Sequence, residues 1–138
     1  MGPVLLSTTA LFLLSAPAQI ELVGSALEAA AAHYTRQPDQ FVWCLDIADD
    51  RWTRTDVVME LRRRGLRLTG FEATCPKPLR GGVKALELKK AATESTYPDE
   101  FRVSGSVTDQ ATRRAFEVVF RKDGETWREQ RFVDAGGS

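Results

Sequence analysis

Along this chain the spacing of apolar positions changes twice, and each change predicts a different kind of element. From Ile20 to Tyr34, the residues Ile20, Val23, Leu27, Ala30, Ala31 and Tyr34 recur at helical spacing with Glu21, Ser25 and Glu28 between them. This predicts an amphipathic helix ending before Pro38. Phe41, Val42, Trp43, Cys44, Leu45 and Ile47 then form a short apolar run suited to a buried strand, stopped at Asp49-Asp50. A second helix follows, with Thr53 and Asp56 in a capping-box pattern and Gly65 where a left-handed C-terminal cap belongs. Val57, Val58 and Leu61 give its inner face, and Arg62, Arg63 and Arg64 fill its last turn, where positive charge suits the helix dipole.

After Gly65 the period becomes two. Leu66 to Thr74 and Val83 to Lys89 read as strands, separated by a loop rich in Pro76, Pro78, Gly81 and Gly82. From Glu100 to Val107 the alternation is strict, with Phe101, Val103 and Val107 on one face and Glu100, Arg102, Ser104 and Ser106 on the other, so this strand has one wet face. Thr112 to Arg121 follows, with Phe116, Val118 and Phe120 on one side. Asp123-Gly124 predicts a two-residue type I′ hairpin that would pair Phe120 with Trp127. The last strand is expected to end near Phe132, with residues 134–138 as a loose tail. The element order predicts an α+β fold: an N-terminal helix and a second short helix packed on a curved antiparallel sheet of four to six strands.

The two ends of the chain sharpen this picture. Met1 to Ala18 carries no charged side chain, holds an apolar run from Val4 to Leu14 and closes on Ala16-Pro17-Ala18. That is the pattern of a signal peptide, which needs roughly 7 to 15 apolar residues and small side chains before the cut. The competing readings are a buried helix or a membrane anchor, but the run is shorter than the roughly 20 apolar residues that span a bilayer. Domain boundaries follow: 1–18 as export signal, 19–133 as one α+β domain. About 120 residues suffice for one core and not for two. The expected location is periplasmic or secreted, with no stable membrane insertion after cleavage. All 19 basic and 19 acidic residues lie beyond the signal, so the mature part carries no net formal charge and no general affinity for nucleic acid is expected.

Cys44 and Cys75 are the only cysteines, and an even count in an exported chain predicts one disulfide between them. Two buried free thiols are the alternative. A zinc site would need four ligands, and the single histidine, His33, sits alone on the first helix, so no metal and no cofactor is expected.

Other side chains that invite a function each have a plainer explanation. His33 suits acid–base work by its pKa range, yet a solvated helix-end histidine explains it equally. Asp46, Asp49 and Asp50 offer carboxylates, but Arg51 and Arg54 beside them suggest a salt-bridged turn. Trp43, Trp52 and Trp127 could line a ligand cavity between helix and sheet; core packing accounts for Trp43 and Trp127, which leaves Trp52 as the one expected to be partly exposed. Arg102, Arg113, Arg114, Arg128 and Arg131 could gather on one sheet face to meet an acidic partner, although Glu100, Glu117, Glu125 and Glu129 among them favour cross-strand ion pairs.

The ending Phe116-Glu117-Val118-Val119-Phe120-Arg121-Lys122-Asp123-Gly124-Glu125-Thr126-Trp127-Arg128 resembles the last hairpin of the NTF2-like, cystatin-like superfamily. The chain departs from that pattern where its first helix runs directly into the Phe41 segment instead of a second helix. The Cys44 and Cys75 pair is similar to that of uncharacterised exported bacterial envelope proteins. What the resemblance implies is a cavity between helix and sheet, suited to a small apolar ligand or weak catalysis through His33, Asp46 or Asp49. The residues themselves favour binding over catalysis, because no nucleophile–base pair is recognisable. The expected partner is another protein, as for an inhibitor or immunity-type module; a structural envelope subunit forming a homo-oligomer is the third reading.

Overall fold

The computed structural model describes residues 14–70, 74–94 and 96–137. The apolar run from Val4 lies outside the described residues except for Leu14. Helix α1 spans Ala16–Tyr34. Ser15 caps it by accepting from the Ala18 N–H at 3.4 Å, and Pro17 sits in its first turn, where a missing N–H costs nothing. Its inner face, Leu22, Val23, Ala26, Leu27, Ala30 and Ala31, is buried. A single 3-10 turn at Pro38–Gln40 leads into β1, Val42–Ile47.

Helix α2, Arg54–Arg63, begins as its sequence predicts: the Thr53 side chain accepts from the Asp56 N–H and donates to the Asp56 carboxylate. Gly65 follows it at a φ of 95°. Gly24 lets α2 approach α1 closely, since a Cβ there would stand 2.4 Å from Glu60 Cγ. Across this contact Arg64 bridges Glu60 at 2.7 Å and Glu28 at 3.0 Å, while Arg63 pairs with Glu60 and Arg62 donates to the Leu68 carbonyl. The triple arginine therefore ties the two helices and the next strand together.

The remaining strands are β2 (Arg67–Leu68), β3 (Val83–Thr93), β4 (Glu100–Thr108), β5 (Arg113–Asp123) and β6 (Thr126–Gly137), in the sheet order β2-β1-β3-β4-β5-β6. The α+β class with an N-terminal helix is as expected, but the sheet is mixed. β3 to β6 form the antiparallel meander, whereas β1 pairs parallel with both β2 and β3. A parallel pair needs a long crossover, and here α2 and the proline-rich loop before β3 supply the two connections. The strand expected over Leu66 to Thr74 reduces to Arg67–Leu68, and residues 71–73 of that span lie outside the described residues.

Two further corrections concern the last hairpin. Its loop is Gly124-Glu125, with positive φ at Gly124 alone, so Lys122 and not Phe120 pairs with Trp127. This is the type II′ arrangement, which places glycine first. β6 also continues to Gly137 beyond its expected end at Phe132, because Asp134, Gly136 and Gly137 pair with Phe116, Ala115 and Arg114.

Both helices pack on one face of the sheet. Trp43, Leu45, Leu86, Leu88, Phe101, Val103, Phe116, Val118 and Phe120 meet α1 and α2 there in a single buried cluster. No described helix covers the opposite face, and the chemistry of the molecule collects on it.

Candidate functional site

The open face carries every second residue of each strand, so its composition follows from register. Asp46 on β1 is the Cα partner of Glu87 on β3, Glu87 is opposite Ser106 on β4, and Ser106 is opposite Ala115 on β5. Asp46, Glu87 and Ser106, with Thr108 and Arg113, line a groove of about 240 Å³, walled on its other side by Cys75, Pro76, Lys77 and Leu79. The wall is held by the expected disulfide: Cys44 and Cys75 are bonded, with their Cα atoms 5.2 Å apart. Cys44 is fully buried on β1, and the Cys75 N–H donates to Asp46 Oδ1 at 3.1 Å.

Inside the groove the polar groups satisfy one another. Glu87 Oε1 accepts from Ser106 Oγ and from Arg113 Nη2, both at 3.1 Å. Ser106 is only 2% exposed, so its hydroxyl is committed to that bond. No histidine lines the groove. A serine donating to an already ion-paired carboxylate is not set up for attack, which requires a free base within reach. The groove offers fixed donors and acceptors instead, suited to recognising polar groups.

The residues singled out from sequence scatter. Trp43 is fully buried, and its indole N–H donates to the Pro38 carbonyl at 2.8 Å. Trp52, expected to be partly exposed, is only 8% exposed and belongs to the core; Arg51 lies 6.0 Å above its ring and covers it. Trp127 is half-buried in a second cleft, of about 430 Å³, between α1 and the β5–β6 hairpin, with Leu22 and Phe120 at its base and Glu21, Glu125 and Glu129 around it. His33 is exposed in the last turn of α1 and stacks on Phe132, ring centroids 4.3 Å apart. Leu22 and His33 are separated by roughly 16 Å of helix rise, so Trp127 and His33 share no site.

In the acidic turn Asp49 forms the expected ion pair, while Asp46 accepts from the Cys75 N–H instead. Arg51 pairs with Asp49 at 2.5 Å and also donates to the Ala91 carbonyl, and Arg54 donates to the Leu45 carbonyl. The hydrogen bond from Arg51 holds the Asp49 carboxyl down at about 2, against the opposing effect of burial. At the far end of α1, Tyr34 donates to the Ala115 carbonyl at 3.1 Å. Burial, and then the Asp134 carboxylate as a second acceptor, push its phenol up to about 12.

Sequence reasoning reached Asp46 and Arg113 but passed over Glu87, Ser106 and Thr108. Their signal was polar residues at the outward positions of alternating strands; which of them meet depends on register. No protein-family model, curated protein or solved structure matches the chain.

Proposed function

We propose that this chain is an exported binding protein, of the inhibitor or immunity type, whose partner is another protein. The observation that carries this reading is the six-stranded sheet with both helices on one face and the other left open, its side chains fixed by cross-strand bonds and by the disulfide-held wall. Rigid, pre-ordered surfaces bind proteins at low entropic cost. Export accords with the Cys44–Cys75 bond, since such bonds persist in oxidising compartments, and among the described residues no helix is long and apolar enough to cross a membrane.

A small-ligand role of the NTF2-like kind needs space between helix and sheet. Here Val23, Leu27 and Ala30 share one buried cluster with Phe101, Phe116 and Phe120, and the cleft between α1 and the β5–β6 hairpin is an open surface cleft rimmed by Glu21, Glu125 and Glu129, not an enclosed apolar cavity. The protein-binding reading is therefore preferred.

The test is a native mass spectrum, without reductant, of the protein recovered from its own host's envelope. The expected result is a chain starting at Gln19, lighter by two hydrogens, carrying a second polypeptide. Whole-number multiples of its own mass would favour a structural subunit, and an added small molecule would favour the cavity reading. A chain starting at Met1 with both thiols free would overturn export.

A further inference from the structure

Side chains alternate along a regular strand, so Arg128 and Arg131, three positions apart in β6, belong on opposite faces. The ladder with β5 decides otherwise: it steps from Phe120↔Glu129 to Val119↔Arg131. Gln130 is thus the extra residue of a β-bulge, and the bulge returns Arg131 to the face that carries Arg128. On that face Arg128 stands directly opposite Arg121, and Arg131 and Arg102 flank the fully buried Val119 from either side.

Like charges directly opposite one another destabilise a sheet. Acidic neighbours relieve only part of the cluster: Arg102 pairs with Glu100 and Glu117, and Arg121 reaches Asp99 at 3.4 Å. The Arg128 and Arg131 side chains are exposed and join no hydrogen bond or ion pair among the described residues. The nearby Glu129 does not help, because it is opposite Phe120 on the other face. Val133, 36% exposed, completes the patch opposite Glu117.

From this arrangement we infer that the open face of the β5–β6 hairpin docks an acidic protein surface, with partner carboxylates on Arg128 and Arg131 and an apolar contact on Val133. The inference rests on the protein-binding reading above and supplies its partner chemistry. Arginine is suited to this role by its planar fork, which grips a carboxylate through two parallel bonds. Glu100, Glu117 and Asp99 stand among the arginines and would repel a uniform polyanion, whereas a protein surface can match a mixed pattern. Docking occurs on the face and not along the strand edge, since the bulge interrupts the regular edge that strand addition needs.

The experiment uses the mature, disulfide-bonded chain and a fluorescent peptide of alternating Glu and Leu as probe, read by anisotropy and by backbone amide shifts. Binding with shifts centred on residues 119–133 is expected. Arg128→Glu with Arg131→Glu should weaken it at least about tenfold, and Arg131→Lys should weaken it less. Both sites are exposed, and Arg128→Glu replaces the like-charge pair with Arg121 by an opposite-charge one, so thermal melting should not fall; if the charge reversal fails to fold, the Arg128→Gln and Arg131→Gln pair takes its place. Undiminished binding by these variants, or shifts elsewhere, would overturn the site. Tighter binding of a heparin fragment or of phosphatidylglycerol vesicles than of the peptide would overturn the assignment to protein. An envelope partner that binds wild type and double variant equally refutes this patch while leaving the protein-binding reading intact. Peptide binding at the patch with no envelope protein ever recovered refutes that reading and leaves only a site for carboxylates.

Discussion

A Cβ on Gly105 would stand 1.9 Å from the carbonyl oxygen of Glu87. The two residues lie on neighbouring strands next to the point where β3 shifts register between Leu88 and Lys90, so the backbones approach more closely there than any side chain permits. Phe116 closes the remaining side at 3.1 Å.

Gly105→Ala should therefore destabilise the fold by about 3 kcal/mol or prevent folding, because the obstructing atom is backbone and not a flexible side chain. Gly70→Ala, with nothing within 4 Å of its Cβ, is the control and should be nearly neutral. Equal urea midpoints for the two variants would show that β3 and β4 can separate without cost.

Tyr34 makes stability depend on pH at the alkaline end. Its phenol is pushed up to about 12 by burial and by Asp134, so the unfolded chain gives up this proton first. The contribution is fully present below about pH 10 and is lost as pH rises through about 12. In a Tyr97→Phe background, ultraviolet titration should place the one remaining tyrosine near pH 12; a midpoint near 10 would mean that the phenol is neither buried nor paired as described.

At the acid end the sign reverses. Arg51 holds Asp49 down at about 2, so this pair contributes above about pH 4 and loses its effect as pH falls through about 2. Since the Arg51 side chain is 53% exposed, the contribution is at most about 1 kcal/mol. Asp49→Asn should lower the denaturant midpoint at pH 6 by that small amount and leave it unchanged near pH 1.5. A deficit that persists at the lower pH would assign the effect to packing.

Reducing the Cys44–Cys75 bond reopens a chain segment spanning 31 positions and should cost about 3–4 kcal/mol on the loop-entropy model. It also frees the groove wall, leaving the Asp46 contact to hold the Cys75 amide. Hydrogen exchange at that amide should accelerate in a Cys44→Ala, Cys75→Ala variant, and more so with Asp46→Ala added. Unchanged exchange would place the wall's anchor elsewhere.

The proposed cleavage after Ala18 would fall inside the first turn of α1, which begins at Ala16 with Ser15 as its cap. The mature chain would lose that cap and place an amine at the positive end of the helix dipole. A chain starting at Leu14 should be more stable than one starting at Gln19 by about 1 kcal/mol in urea unfolding. Identical midpoints would show that the first turn adds nothing to the fold.

Local signals located both helices well. Thr53 with Asp56, Gly65, and the spacing of Val23, Leu27 and Ala30 act within one or two turns of chain, and so can be read without knowing the fold. The alternation in β4 was legible for the same reason, and the disulfide because the chain offers only two cysteines to pair. Tertiary structure alone decided that β1 runs parallel to β3, which brings Asp46 beside Glu87, that Trp52 goes under Arg51, and that the hairpin turns at Gly124-Glu125. It also decided the bulge at Gln130 that turns Arg131 toward Arg128. The cause is the period of two: a one-residue change in pairing moves every later side chain to the other face, and packing against distant strands chooses between the two registers.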